Sequence, residues 1–190
     1  MAGGGHARLL AAMDREYPAQ GLWPHPDVDV GPGRWTGPRD YHEAAIWLSG
    51  QDRGWQIGDW LTLAVLDQQG RALGQVGLQN RAGGRIGTGG FGEIHYWTAA
   101  DARGLGIALS AVRATTRWAF GCFRPDRLPL IMLVHDLDNP ASCRVAGKSG
   151  YRFWEISPAN PPFWHTSAHV HVAASRPGTP IPVSLVRNGD

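Results

Sequence analysis

Cysteine and lysine are scarce in this sequence of 190 residues, which contains two cysteines and a single lysine, Lys148. Cys122 and Cys143 stand apart with no partner at zinc-knuckle spacing, so we expect neither a disulfide framework nor a cysteine-rich metal module. No apolar run approaches the roughly 20 residues that a membrane-spanning helix needs, so we expect no transmembrane helix. A formal net charge of +2 without a cluster of basic residues argues against nucleic acid as the main partner.

The residues that are abundant indicate an ordinary folded domain. Hydrophobic residues make up 43% of the chain and charged residues 18%, a balance typical of a globular core. The start of the sequence lacks the basic region and apolar stretch of a secretory signal, so a cytoplasmic location is expected. Nine tryptophans are present, several of them in loop-like segments where indole rings often line a ligand site. We expect one domain over residues 1–175 and an irregular tail over 176–190.

Hydrophobic periodicity and turn residues predict alternating helices and strands. The predicted helices span 8–16, 38–49 (ending at Gly50), 107–120 and 140–149. The predicted strands span 60–66, 71–79, 92–98, 130–134, 151–156 and 168–173, and the first two form a hairpin. This order predicts a mixed α/β domain built on one sheet.

A glycine-rich turn separates the strand at 92–98 from the helix that follows it. The glycines allow a ligand to approach the backbone, and the free N–H groups of the first helical turn attract anions. The pattern is therefore typical of a phosphate-binding loop, although a strand-to-helix turn without a ligand can have the same composition. It matches neither a Walker A motif nor a dinucleotide fingerprint. The segment is Arg103-Gly104-Leu105-Gly106-Ile107-Ala108.

The pattern Arg103-x-x-Gly106-x-Ala108 resembles the Arg/Gln-x-x-Gly-x-Gly/Ala motif of the GNAT superfamily of acyl-CoA-dependent N-acetyltransferases. The flanking sequences resemble the RimJ/RimL-type branch, which includes ribosomal-protein N-terminal acetyltransferases. The resemblance covers residues 34–175 and implies an α/β GNAT fold: a single mixed, mostly antiparallel sheet with splayed central strands, flanked by helices. Relatives begin with a strand before the first helix, and here that strand is expected to be either missing or encoded upstream of the given start. The flanking sequences are Gly92-Glu93-Ile94-His95-Tyr96-Trp97 and Asp136-x-x-Asn139-x-x-Ser142-x-Arg144-Val145-x-x-Lys148-x-Gly150-Tyr151.

The resemblance implies acetyl-CoA as the cosubstrate and assigns residues to it. The backbone amides of the turn would hold the pyrophosphate, and Asn139 would hydrogen-bond the pantetheine arm, a role compatible with a plain helix cap. Ser142 would lie near the sulfur, where its hydroxyl could protonate the departing thiolate. The turn residues are Arg103, Gly104, Leu105, Gly106, Ile107 and Ala108, and the strand residues expected along the pantetheine arm are Trp97 and Thr98.

The implied reaction is direct attack of a primary amine on the thioester, which needs a group that removes the amine proton. Glu93 is the first candidate, although it could equally be a solvated carboxylate on a strand. His95 stands two residues away, on the same face of the strand. It could be a base, part of a relay with Glu93 or a packed histidine. Neither cysteine falls on a catalytic position of the family, which favours direct transfer without a covalent enzyme intermediate.

The acceptor is expected to be a protein N-terminus or a small molecule. Trp35 and Trp164 lie in loops that would border the acceptor cleft, unless they only cover the core. The alternatives are a small-molecule acetyltransferase for an aminoglycoside- or polyamine-like acceptor, and an inactive acyl-CoA-binding sensor. No metal is expected, since His169-x-His171, with His165 nearby, is only a weak metal pair. The sequence leaves open whether the protein forms a homodimer.

Overall fold

The computed structural model describes residues 41–81, 83–159 and 166–182. Within these ranges the chain forms three helices and six strands, and a short 3-10 turn, Ala100–Ala102, follows the third strand. The helices are α1 (Tyr41–Ile57), α2 (Ile107–Cys122) and α3 (Pro140–Lys148). The strands are β1 (Trp60–Leu66), β2 (Ala72–Asn80), β3 (Gly92–Thr98), β4 (Leu130–Asp136), β5 (Arg152–Ser157) and β6 (Ala168–Ala174).

The six strands form one sheet in the order β1-β2-β3-β4-β6-β5. Every neighbouring pair is antiparallel except β3 and β4, which run parallel. The predicted fold class, an α/β domain with a single mixed and mostly antiparallel sheet, is confirmed. The expected absence of a first strand concerns residues 1–40, which lie outside the described residues.

The turn that joins β1 and β2 is stabilised by the side chain of Asp67 and by the backbone conformation of Gly70. The carboxylate of Asp67 accepts hydrogen bonds from the backbone N–H groups of Gln69 (3.0 Å) and Arg71 (2.8 Å). Gly70 adopts a φ of 82°, a left-handed conformation that glycine reaches without steric cost. The turn that the sequence predicted at this position therefore forms from local interactions.

Helices cover both faces of the sheet. On one face, Val112 of α2 packs against Leu78 of β2 and Ile131 of β4, all fully buried. On the other face, α1 lies over β1, where the side chains of Gln51 and Thr62 form a buried hydrogen bond. The indole Nε1 of the α1 residue Trp55 also donates to the Thr62 carbonyl at 2.7 Å. The sheet is therefore the central layer of the domain.

The first described helix differs from its predicted span of 38–49. Helix α1 continues past Gly50 to Ile57 and ends where Gly58 adopts a φ of 76°. The prediction that Gly50 ends the helix was wrong because tertiary packing outweighs the cost of about 1 kcal/mol that a helical glycine carries. At Gly54 a Cβ would meet the backbone oxygen of Trp60 at 2.7 Å, so glycine lets β1 approach the helix.

The limits of the domain stay a prediction. Ile181, inside the expected tail, packs against the buried cluster of Leu130, Met132, Val170 and Val172. At least this part of the tail therefore contacts the sheet. The helix expected at 8–16 and the loop tryptophans Trp35 and Trp164 lie outside the described residues. Among the described residues, no helix has the length and apolarity that crossing a membrane requires.

Candidate active site

The two central strands part from each other halfway along the sheet. β3 and β4 pair only over Gly92–Ile94 and Ile131–Leu133, although each strand has seven residues. Beyond Ile94, β3 keeps its pairing with β2 but not with β4. The expected splay of the central strands is therefore present, and it leaves His95–Thr98 of β3 without backbone pairing to β4.

The glycine-rich turn lies at the end of β3 and leads into α2. Gly104 and Gly106 have φ values of 78° and 79°, and a Cβ built on either would meet nothing within 4 Å. Leu105 between them is 71% exposed. Gly106 caps α2, whose first N–H groups have no partner inside the helix. The turn therefore presents an open, positively polarised backbone surface of the kind that binds phosphate.

Other residues of the turn hold it in place. The Arg103 side chain, through Nε, donates to the carbonyl of Thr98 at 3.3 Å and so ties the turn to the end of β3. The indole Nε1 of Trp97 donates to the side-chain oxygen of Gln75 on β2 at 3.1 Å. Ile107 and Ala108 form the start of α2. The proposed contacts of these residues with coenzyme A stay predictions.

The start of α3 lies across the gap. Asn139 caps the helix: its Oδ1 accepts a hydrogen bond from the backbone N–H of Ser142 at 3.1 Å. Its amide Nδ2 makes no hydrogen bond with the described residues, which leaves it able to donate to a ligand. The capping role is confirmed, and the second role in binding the pantetheine arm remains compatible with it.

A tyrosine on β3 contacts the proposed acid. The hydroxyl of Tyr96 donates to Oγ of Ser142 at 2.9 Å, joining β3 to α3 across the splay. Burial raises the pKa of Tyr96, so the phenol stays protonated and remains a donor. The Ser142 Oγ–H is then free to donate in turn. No sequence motif signalled this role of Tyr96, which strand alternation places on the face opposite Glu93 and His95.

Glu93 lies in a largely buried ion pair. Its carboxylate accepts a hydrogen bond from Arg81 Nη1 at 3.1 Å, and only 14% of the Glu93 side chain is exposed. Burial raises the pKa of Glu93, while Arg81 and a hydrogen bond from Gln79 oppose that rise. A carboxyl whose pKa moves towards neutrality is better matched to accepting a proton at neutral pH. The role of Glu93 as the base stays a prediction.

His95 is packed in a different way from Glu93. The ring of His95 lies over Gly77 and against the indole of Trp60, with ring centroids 5.1 Å apart. Neither ring nitrogen has a hydrogen-bond partner among the described residues. Burial lowers the pKa of His95 to about 4. Glu93 pairs with Arg81 and Gln79 instead, so the structure supports the packed-histidine interpretation over the relay, while the catalytic assignment of His95 remains untested.

The sequence matches a family model described as an acetyltransferase (GNAT) domain, over residues 8–152. A search of curated proteins by sequence found no significant match.

Solved structures with the same fold include acetyltransferases of several kinds. A ribosomal-protein-S5-alanine acetyltransferase from Vibrio fischeri has a TM-score of 0.66 at 16% identity, covering 95% of this chain and 93% of that one. A spermidine N-acetyltransferase variant from Vibrio cholerae has a TM-score of 0.58 at 13% identity, covering 92% of each chain. A microcin self-immunity acetyltransferase in complex with acetyl-CoA and AMP has a TM-score of 0.60 at 15% identity, covering 70% and 71%. At these identities the similarity establishes the fold.

Proposed function

The chain belongs to the GNAT family of acetyltransferases, and on this premise we propose that it transfers an acetyl group from acetyl-CoA to the amino group at the N-terminus of a protein. The observation that carries the proposal is the splay between β3 and β4 with the open glycine turn at its end. A cosubstrate with a pyrophosphate and a long extended arm needs both features. The transfer itself makes one C–N bond and breaks one C–S bond.

The residues that are present fit acetyl-CoA. The backbone at Gly104 and Gly106 has room above it that a side chain would fill, and the N-terminus of α2 supplies positive polarity. Asn139 keeps its amide N–H groups available after capping α3. Trp97 and Thr98 lie on the unpaired side of β3 and offer backbone groups to the pantetheine arm. One of the similar solved structures is a complex with acetyl-CoA.

Two proton transfers accompany the reaction, and the site offers a group for each. The amine must lose a proton as it attacks, and Glu93 accepts it through water, since its side chain is 14% exposed. The thiolate of coenzyme A leaves and takes a proton from Ser142 Oγ–H, and Ser142 then regains a proton from solvent while Glu93 releases one to it. Tyr96 donates to the same oxygen, which directs the serine proton away from the tyrosine and towards the gap.

The pairing of Glu93 with Arg81 favours a protein N-terminus over a polyamine as the acceptor. A polycation binds best in a cleft with several free carboxylates. Glu93, the carboxylate that β3 contributes to its face, is instead neutralised by Arg81. A single amine on an extended peptide needs no such cluster. The tryptophans Trp35 and Trp164 are proposed to border the acceptor cleft, as the family resemblance implies.

The decisive experiment measures release of free thiol from acetyl-CoA with three groups of acceptors, followed by mass spectrometry of the products. The acceptors are peptides with a free N-terminus and no lysine, the same peptides with a blocked N-terminus, and spermidine or an aminoglycoside. We expect turnover with the free peptides alone. Turnover with the small amines alone would make the protein a small-molecule acetyltransferase. Tight binding of acetyl-CoA without turnover on any acceptor would indicate an acyl-CoA-binding sensor.

The cytoplasmic location, the absence of a nucleic-acid partner and the homodimer left open by the sequence stay predictions.

A further inference from the structure

Three histidines and a cysteine from three different elements meet on one face of the sheet. His135 lies on β4, His169 and His171 on β6, and Cys143 on α3. One ligand atom from each residue can be chosen such that all four atoms lie within 4.8 Å of one another. We propose that these four residues form a binding site for a zinc ion.

The separations between the ligand atoms fit a tetrahedral zinc site. Around Zn²⁺, with bonds of about 2.0–2.1 Å to nitrogen and about 2.3 Å to sulfur, tetrahedral ligands stand about 3.3 Å apart for two nitrogens and about 3.6 Å for nitrogen and sulfur. Nε2 of His135 lies 3.3 Å from Nε2 of His171. Sγ of Cys143 lies 3.8 Å from the same nitrogen of His171. Both pairs therefore need little movement to become two edges of a coordination tetrahedron.

The hydrogen bonding of His135 prepares it as a ligand. Its Nδ1 lies 2.8 Å from the carbonyl oxygen of Asp136. A carbonyl only accepts, so Nδ1 carries the proton and Nε2 presents its lone pair to the cluster. Metal-bound histidines commonly donate their second ring N–H to a backbone carbonyl in this way, which fixes the orientation of the ring.

The four residues of the cluster are buried or half-buried. His135 and His171 are 8% and 4% exposed, and the ring of Phe153 packs edge-on against both His169 and His171. The Nδ1 atoms of His169 and His171 are buried with no partner among the described residues. Burying such polar atoms unpaired is unfavourable, and coordination through Nδ1 would remove that cost for His169, whereas His171 faces the cluster with its Nε2.

The donor set points to zinc among the common metals. Three imidazoles and one thiolate combine borderline and soft ligands, and four protein ligands without an open position are typical of structural zinc sites. On binding, the thiol of Cys143 loses its proton to solvent, and any proton shared between the two Nε2 atoms is displaced. The bound ion would fasten the start of α3 to β4 and β6.

The chain offers matched control residues. Cys122 is a free, exposed cysteine at the end of α2, away from the cluster, and His42 is an exposed histidine on α1. The variant Cys143→Ser removes one ligand while keeping the size of the side chain. His169→Gln is a second variant at a less buried position and keeps the cluster testable if Cys143→Ser does not fold. Cys122→Ser and His42→Ala are the controls.

The test uses the full chain, stripped with a chelator and titrated with Zn²⁺ alone and with Co²⁺ alone. We expect about one zinc per chain, bound more tightly than about 1 µM near pH 7. The cobalt form should show the visible bands of a tetrahedral site and a near-ultraviolet thiolate charge-transfer band. Cys143→Ser should abolish that band, and both cluster variants should weaken zinc binding by at least about 100-fold.

Hydrogen exchange gives a readout that does not depend on catalysis. Zinc should slow amide exchange in α3 and β6 of the wild type and of both control variants. Wild-type protein that binds no zinc at about 10 µM would overturn the proposal. So would a charge-transfer band that follows Cys122, or cluster variants that retain full zinc binding.

Discussion

Replacing Tyr96 by phenylalanine removes a single oxygen and with it the hydrogen bond to Ser142 Oγ. That bond is 2.9 Å long and links β3 to α3 across the splay where the thioester is proposed to lie. Without its donor, the serine hydroxyl is free to rotate and can lose its direction towards the departing sulfur. If Ser142 is the acid, the defect should appear in the chemical step rather than in acetyl-CoA binding.

The size of the effect follows from the strength of one hydrogen bond between neutral groups. Its net contribution is about 0.5–1.5 kcal/mol. If the same interaction orients the acid in the transition state, kcat should fall by about tenfold, which corresponds to about 1.4 kcal/mol. The melting temperature should fall by about 2–4 °C for each kcal/mol in a domain of this size. The dissociation constant of acetyl-CoA should change less than about twofold, because the glycine-rich turn proposed to bind phosphate is untouched.

Tyr151→Phe is the matched control for this prediction. Tyr151 is also buried, its pKa is raised by that burial, and its hydroxyl lies 2.7 Å from Oγ1 of Thr116 on α2. The same atom and a comparable hydrogen bond are lost, but Ser142 is not involved. The assays are steady-state thiol release, calorimetry with acetyl-CoA and thermal unfolding, each on both variants and on Ser142→Ala. Equal kcat in Tyr96→Phe and Tyr151→Phe, at similar stability, would refute the role given to Tyr96.

Glu93→Gln should remove the acid limb of the kcat/KM profile, a limb that burial shifts to higher pH by raising the carboxyl pKa, and should lower the rate at neutral pH by about 100-fold. An unchanged pH profile would exclude Glu93 as the base. Gly106→Glu should weaken acetyl-CoA binding by at least about 100-fold in calorimetry. The control Gly178→Glu, at a glycine with a similar φ of 76° and equally open space, should leave the affinity unchanged. Equal affinities of the two variants would show that the turn does not bind the phosphates. The folded pKa of His95 is about 4 against an ordinary 6.5, so the wild type loses stability as pH falls from 6.5 towards 4. In denaturant unfolding, the free energy of unfolding of His95→Phe should fall by about 3 kcal/mol less than that of the wild type over this pH range. If both proteins lose the same free energy of unfolding, His95 is not buried in its neutral form.

Features set by neighbours in the chain were predictable from the sequence. The hairpin turn at Asp67, the cap at Asn139 and the left-handed glycines Gly104 and Gly106 depend on hydrogen bonds and φ values within a few residues. Because such interactions are local, residue type and spacing suffice to identify them. The same locality explains why the glycine-rich turn could be located before any fold was known.

The end of α1 shows where local rules fail. Gly50 favours a helix stop, yet α1 continues to Ile57. Leu48 and Gln51, on either side of that glycine, are buried against the sheet, and this burial offsets the intrinsic cost of the glycine. Burial of a helix face depends on the surface that it packs against, and the residues around Gly50 do not indicate what that surface is.

In the candidate active site and the proposed zinc site, too, some features follow from the sequence and others only from the fold. Sequence alone determined which residues stand in the turn, at the cap of α3 and on β3. The fold decided that Tyr96 meets Ser142 from 46 residues away, and that Glu93 pairs with Arg81 rather than with His95. It also joined the weak His169-x-His171 pair with His135 and Cys143. Contacts of this kind form only when strand order and register bring distant segments together, and spacing along one chain does not encode them.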